Sequence, residues 1–309
     1  MRATVYKSTG SWYVTKTEAG QFINSRIKGV FKIDGITSTN PVAVGDNVEL
    51  EPENDADETA MITDILPRKN YVTRQSPSHR MQHHIIAANV DQSLMFATLR
   101  EPRTSQGFID RFLVTCEAYH VPAIIVFNKT DLYKKKDEEK LRELTEVYTD
   151  IGYRVFAMSV EKGEGLEGVK HELKGKITLM SGHSGVGKSS FINKVFPSFR
   201  LKTNEISGWS GKGMHTTTFA EMFDLPNGGA IIDTPGMREF GIVDISKQEL
   251  SHYFPEMRAL INECHFNDCL HINEPGCAIK KAVEDGRIHA ERYVSYWNIL
   301  ESLETKGYS

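Results

Sequence analysis

The chain has 309 residues, 39% of them hydrophobic and 25% charged, with a formal net charge of −4 at pH 7. That length admits two or three domains around a sizeable core. The composition excludes three classes: no run of eighteen apolar residues signals a membrane span, four cysteines do not make a disulfide scaffold, and a mildly acidic chain has no general attraction to nucleic acid.

Met1–Lys7 lacks the apolar stretch of a signal peptide, so a cytoplasmic protein with no membrane partner is expected. The first seventy residues read as a small β domain. Short alternating or β-rich runs at Thr4–Lys7, Trp12–Thr15, Phe22–Ile27, Asn47–Leu50 and Ala60–Ile65 are separated by turn signals at Gly10, Gly20, Gly35 and Gly45-Asp46. Five short strands suit the oligonucleotide-binding (OB) barrel or another small barrel of the SH3 type. Trp12 and Tyr13 fit either a core or a base-stacking face. Between Asp64 and Asp91 no acidic residue occurs, while Arg68, Lys69, Arg74 and Arg80 join His79, His83 and His84. That stretch suits either a phosphate contact or a solvated linker.

From about residue 85 the grammar becomes α/β. Strand-like Ser93–Ala97, helical Ile109–Tyr119, strand Ala123–Phe127, helical Glu138–Tyr148, strand Val155–Met158, a helix from Leu166 and strand Ile177–Met180 alternate as βα units do. Cys116 falls in a helical run and reads as core. Asn128-Lys129-Thr130-Asp131 follows the strand ending at Phe127 and has the NKxD form with which guanine is read. Asp131 accepts a pair of hydrogen bonds that guanine N1–H and N2–H offer and adenine does not, Asn128 and Lys129 brace base and loop, and Ser159 stands where a base-contacting backbone is expected.

Gly182-His183-Ser184-Gly185-Val186-Gly187-Lys188-Ser189 follows Ile177–Met180 and precedes a helical run, Lys188–Phe196. This is GxxxxGK[ST], a phosphate-binding loop in its required strand–loop–helix setting. A triphosphate must be held by donors without bulk, so the glycines let backbone N–H groups face it and the helix adds its positive end. Lys188 supplies a point charge to the β- and γ-phosphates, the Ser189 hydroxyl is a Mg²⁺ ligand, and Ser190 completes the helix start.

Gly208–Thr218 carries three glycines and three threonines and reads as a mobile switch segment, with Thr217 as the second Mg²⁺ ligand and Thr216 the next choice. Phe219–Phe223 and Ala230–Ile232 flank Pro226-Asn227-Gly228-Gly229, a hairpin that adds one antiparallel edge strand to an otherwise parallel sheet. Asp233-Thr234-Pro235-Gly236 has the form DxxG: Asp233 reaches the metal through water and the Gly236 N–H senses the γ-phosphate. Met237 stands where many GTPases place a water-orienting Gln, and a thioether cannot do that work. Unaided hydrolysis is therefore expected to be slow, with His215 as the internal candidate and a partner as the other source of the missing group. Gly185, where potassium-stimulated GTPases place Asn, argues against strong potassium dependence.

From about Ser246 the chain is mostly helical and bears Cys264, Cys269, His271 and Cys277 in the pattern C-x₄-C-x-H-x₅-C. Three thiolates and one imidazole fill a tetrahedral zinc site with no position open for water, so one structural ion is expected. Unligated buried thiols are the alternative.

The guanine reader precedes the phosphate loop, the reverse of the usual GTPase order. A circularly permuted P-loop GTPase domain is therefore expected. Together with the His215-containing loop, the N-terminal barrel and the cysteine tail, this order resembles the bacterial ribosome small-subunit-dependent GTPase A family over the whole chain. The resemblance implies an OB-fold barrel (1–71), a permuted GTPase domain (72–245) and a zinc-binding helical domain (246–309). It further implies a monomeric enzyme turning GTP into GDP and phosphate, with activity stimulated by the small ribosomal subunit and its rRNA during late maturation. A GTP-binding, RNA-associated scaffold with negligible turnover is the alternative. A P-loop kinase or ATPase would need no NKxD, and a GTPase of tRNA modification would follow tRNA instead.

Overall fold

The structure is a computed structural model that describes residues 1–27, 41–53, 59–75, 83–198, 220–233 and 245–304. His79, Arg80, Gly208–Thr218 (with Thr216, Thr217 and His215), Thr234–Gly236 and Met237 lie outside the described residues. No described helix is long and apolar enough to cross a membrane.

Five strands form the N-terminal barrel: β1 (Arg2–Ser8), β2 (Tyr13–Thr17), β3 (Phe22–Ile27), β4 (Asn47–Pro52) and β5 (Thr59–Ile65). The ring runs β1-β2-β3-β5-β4 and closes through β1–β4, with β3 and β5 parallel. That closed five-strand ring selects the OB arrangement over the SH3 type. Alternation places Val5, Tyr13, Ile23, Val48, Leu50 and Ile62 inside. Tyr13 is core, whereas Trp12 is exposed.

A hairpin of β6 (Tyr71–Gln75) and β7 (His83–Ala88) follows as a separate two-stranded sheet. Arg68, first in the basic stretch, is held against buried Asp46 by two 2.6 Å hydrogen bonds, and Lys69 pairs with Asp91. Those two cations are therefore neutralised within the fold rather than offered to phosphate.

The GTPase sheet is parallel through β10 (Arg154–Ala157), β9 (Ala123–Phe127), β8 (Gln92–Ala97), β11 (Ile177–Ser181) and β13 (Ala230–Asp233), with β12 (Glu221–Asp224) antiparallel to β13. Every residue of β8 is buried, as a central strand covered on both faces requires. Met95 and Ala97 face a core shared with α1 (Gln106–Ala118) and α2 (Lys135–Ile151). Leu94 and Phe96 face one shared with α3 (Leu166–Glu172) and α4 (Lys188–Val195). The hairpin reading of β12–β13 holds, but β12 is not an edge. Strand β1 of the barrel pairs with its outer side, so one sheet of eleven strands runs through both parts. A free edge would leave a row of unpaired N–H and C=O groups, and here the barrel stands against that edge, pairing with it at Lys7 and Glu221.

The C-terminal part contains the short helices α5 (Pro255–Arg258) and α6 (Ala278–Glu284) and the longer α7 (Ala290–Glu304). Its own core, with Phe254, Met257, Ile279, Tyr296 and Ile299, reaches Val114 of α1. A buried ionic cluster fastens the two parts. Arg292 of α7, fully buried, donates to Asp110 of α1 at 2.7 Å and to Glu256 of α5 at 2.7 and 3.1 Å, and its guanidinium lies 4.7 Å from the Phe254 ring centroid. Ser295 and Tyr148 also donate to the Asp110 carboxylate, at 2.5 and 2.8 Å. Removing one partner of such a cluster strands a buried charge, at about 3–5 kcal/mol. We therefore expect Arg292→Ala to lower stability to urea by that amount. Arg258→Gln, which breaks the half-exposed pair to Glu117 across the same junction, should cost about 1 kcal/mol or less.

Candidate functional site

Three loops meet beyond the carboxyl ends of β9, β10 and β11, where open α/β sheets bind ligands. The phosphate loop leaves β11 at Gly182 and enters α4 at Lys188. Gly182 (φ 125°) has Phe96 O only 2.3 Å from where a Cβ would stand, and at Gly187 (φ 99°) that position lies 2.2 Å from Asn128 Nδ2. No other residue fits either place. Ser184, Gly185 and Ser190 are exposed on the loop and helix start, Ser189 is half-buried, and Val186 anchors the loop in the core shared with α4. The Lys188 ammonium donates to Gly182 O at 2.7 Å and His183 O at 3.0 Å. Burial pulls its pKa below the usual lysine range, and the opposing charge of Asp233 at the end of β13 partly restores it. A desolvated cation set among glycine N–H groups is a fitting counterpart to phosphate oxygens.

Asn128 ties the loops together. Fully buried at the end of β9, its amide donates to Val186 O of the phosphate loop at 2.8 Å and accepts from Val160 N at 3.2 Å. Lys129 has a left-handed backbone (φ 62°), and its ammonium donates to Glu101 O. Asp131 accepts from the Ser159 hydroxyl at 2.5 Å, and that oxygen is itself held by Lys162 N at 3.0 Å. One carboxylate oxygen is thus oriented while the residue itself stays exposed. The residues named for base, phosphate and metal (Asn128, Asp131, Ser159, Lys188, Asp233) therefore converge on one end of the sheet, whereas Thr217, His215 and Gly236 fall outside the described residues.

Sequence reasoning missed a supporting layer. The loop after β8 packs on the phosphate loop, with Pro102 Cδ 3.7 Å from the Cβ position of Gly185. Phe108, in the first turn of α1, stacks on His183 with centroids 3.9 Å apart. The Tyr133 hydroxyl donates to Asn128 O at 2.9 Å and accepts from Leu99 N at 3.1 Å. Pro102 marks a break before α1, but no local pattern gives these partners.

The cysteine tail forms a second cluster. The donor atoms of Cys264, Cys269, His271 and Cys277 all lie within 4.8 Å of one another. Cys264 Sγ is 4.0 Å from Cys277 Sγ, and His271 Nδ1 is 3.6 and 3.4 Å from those two sulfurs. A tetrahedral zinc ion with Zn–S bonds of about 2.3 Å separates its sulfurs by roughly 3.8 Å, so the donor set fits zinc. Burial pushes the Cys269 thiol up to about 12 and raises that of Cys277, a cost that a dication would reverse. The loop is shaped by Glu274: burial works against its charge, yet N–H bonds from Leu270 and Ile272 (each 2.8 Å) and Asn273 (3.0 Å) hold its pKa below the usual carboxylate range. Tyr293 and Tyr296 of α7 donate to His271 O and Leu270 O at 2.6 and 2.9 Å. Cys116 is buried in α1, away from this set.

Comparison with known proteins agrees with this geometry. A family model described as RsgA GTPase matches residues 65–243, and one described as RsgA N-terminal domain matches residues 3–61. The chain is 49% identical over 308 residues to small ribosomal subunit biogenesis GTPase RsgA 2 of Bacteroides thetaiotaomicron, covering 100% of this chain and 99% of the relative. It is equally similar, at 49% over 308 residues and the same coverage, to small ribosomal subunit biogenesis GTPase RsgA of Bacteroides fragilis. Among solved structures, YjeQ from Thermotoga maritima superposes with a TM-score of 0.78 at 35% identity, covering 98% of each chain. YloQ, a circularly permuted GTPase, gives 0.76 at 29% identity, covering 99% of this chain and 95% of that one.

Two outcomes follow from the site. Burial, with a smaller contribution from the Lys188 charge, depresses the His183 pKa. An NMR titration should give a midpoint below about 6.5, and Phe108→Ala should move it upward by opening the stack. A group whose folded pKa is depressed favours folding above its unfolded pKa, so the His183 contribution is lost as pH falls below about 6.5. Separately, Cys277→Ser should leave the purified protein with well under one equivalent of zinc by colorimetric release, against one for the unaltered chain.

Proposed function

The chain belongs to the RsgA GTPase family and is a GTP hydrolase, and we propose that its client is the small ribosomal subunit, on whose late maturation it acts. The observation that carries the reading is the convergence of Asp131, Asn128 and Lys188 across one end of the sheet. In this reading Asp131, set by Ser159, selects guanine, and Asn128 and Lys129 fix the base loop against the phosphate loop. The segment Gly182–Ser190, including His183, Ser184, Gly185, Val186 and Gly187, wraps the phosphates, and Lys188 holds their β- and γ-oxygens. Ser189 and, through water, Asp233 hold Mg²⁺, which supplies neutralising charge at the phosphates when bound. Thr217 is assigned as the further metal ligand, the Gly236 N–H as the γ-phosphate sensor and His215 as the group near the attacking water.

Zinc held by Cys264, Cys269, His271 and Cys277 would be structural, since four protein donors leave no open position. We further propose a cytoplasmic monomer that contacts rRNA, divided at 1–71, 72–245 and 246–309. Small-subunit biogenesis is the function named for the relatives of Bacteroides thetaiotaomicron and Bacteroides fragilis. Their GTPase names do not favour a scaffold without turnover.

Phosphate release by the purified chain should be slow alone and rise strongly with small ribosomal subunits, towards the roughly 10³–10⁵-fold that a group completed in trans can supply. Large subunits should have no such effect. Asp131→Asn should weaken GTP by about 10- to 100-fold, since it removes a charged acceptor of two hydrogen bonds. Turnover indifferent to both subunits would sink the ribosomal reading while leaving guanine binding intact.

A further inference from the structure

Strand β12 stands between the barrel and the nucleotide site, and one row of the sheet crosses all three. Lys7 of β1 is paired with Glu221 of β12, and Glu221 is paired with Asp233 of β13. Two strand spacings, about 10 Å, separate the barrel lysine from the site aspartate. Residues directly opposite each other on neighbouring strands share a face of the sheet. Ile231, two residues before Asp233, packs in the core shared with α4, so the row lies on the face that carries the phosphate-loop helix.

Two carboxylates directly opposite each other are unfavourable, and here one of them serves a site that must receive a polyanion. Lys7 Nζ lies 2.9 Å from Glu221 Oε2. The barrel is kept in register by further ties at the other end of β12. The Tyr6 hydroxyl donates to Asp224 Oδ1 at 2.6 Å, Lys16 pairs with the same carboxylate, and the Lys16 ammonium lies 5.4 and 5.5 Å from the Tyr6 and Phe22 ring centroids. Tyr6 also packs against the core of the GTPase sheet.

We propose that Lys7 is a positioning residue of the nucleotide site. Supplied by the barrel, it neutralises Glu221 and draws that carboxylate away from Asp233, so the metal–nucleotide complex meets one negative charge at this edge instead of two. The inference rests on the reading of Asp233 as the metal-linked carboxylate of a GTPase. It makes docking of the barrel part of the nucleotide site: a partner that levers β1 off β12 uncovers the Glu221 charge and loosens the nucleotide.

The test is the affinity for fluorescent GTPγS and GDP, in Mg²⁺ and at low and high salt. It compares the unaltered chain with Lys7→Gln, Lys7→Arg, Glu221→Gln and the double variant Lys7→Gln/Glu221→Gln. Lys7→Gln should weaken GTPγS by about three- to tenfold and GDP by less, with the loss shrinking at high salt. Lys7→Arg and the double variant should return to within twofold of the unaltered chain, and Glu221→Gln alone should bind at least as tightly as it. Unchanged affinity in Lys7→Gln, or a double variant as weak as Lys7→Gln, overturns the proposal, the latter because barrel contact and not charge would then be the cause. Should Lys7→Gln fail to fold, weaker binding by Glu221→Gln, which removes the charge at issue and leaves Lys7 in place, overturns it equally. An unaltered chain that binds no guanine nucleotide would instead refute the GTPase reading beneath it.

Discussion

The buried amide of Asn128 is the constraint on which the nucleotide end of the molecule depends. It spans the phosphate loop, through Val186 O, and the Ser159–Val160 turn, through Val160 N, with its own backbone held by Ala97 O and the Tyr133 hydroxyl. An amide with a donor and an acceptor fixed on different loops has no alternative pose that keeps both bonds. Leaving either partner buried and unpaired costs about 1–3 kcal/mol. The bare Cβ position of Gly187 is the matching half of this device, because any side chain there would occupy the amide's place. Loops far apart in sequence are therefore locked by one residue, irrespective of which comes first along the chain. This is the physical reason that a permuted order leaves the site intact: parallel strands present their carboxyl ends together whatever their connectivity.

A second set of contacts makes the tail part of the same body. Helix α7 turns alternate pairs of side chains in two directions. Arg292 and Ser295, three apart, reach Asp110 of α1, while Tyr293 and Tyr296, also three apart, hold the backbone of the cysteine loop at His271 and Leu270. Residues three apart share a helix face, and a step of one rotates that face by about 100°. Desolvation favours the protonated form of Asp110, against Arg292, Ser295 and Tyr148, which stabilise the carboxylate. One helical turn of α7 thus joins the cysteine loop to the helix whose first turn stacks on His183.

How much of this was legible in the residues follows from whether a feature is local. The glycine loop, the asparagine–lysine–aspartate element and the cysteine spacing each place their chemistry within a few consecutive positions, and strand–loop–helix alternation located them at strand ends. The barrel was legible as five short strands, but its type was not, because OB and SH3 barrels differ in which distant strands pair and not in local pattern. Arg68 read as part of a stretch open to phosphate or to solvent, because Asp46, twenty-two residues away, gives no local sign of facing it. Tyr133, Phe108 and Pro102 carry no signature at all, since a hydroxyl or ring that braces a loop looks in sequence like any other.

Strand β12 shows where such reading stops. Its sequence, Glu221-Met222-Phe223-Asp224, has acidic residues at both ends and one fully buried side chain, the look of an edge strand guarded by charge. In an isolated GTPase sheet it would be one. The barrel inverts the meaning of those charges: Glu221 and Asp224 are not repellents of a stray strand but the acceptors for Lys7, Tyr6 and Lys16 of the strand that belongs there. Edge charges specify a partner as readily as they exclude one, and only the complementary charges more than two hundred residues upstream decide which. Pairing of this kind costs loop-closure entropy that grows slowly with chain separation, so a domain at the amino terminus can be recruited to the far edge of a sheet with little penalty for distance. Because the strand it recruits lies directly beside Asp233, the barrel becomes a neighbour of the nucleotide site without contributing a residue to its motifs.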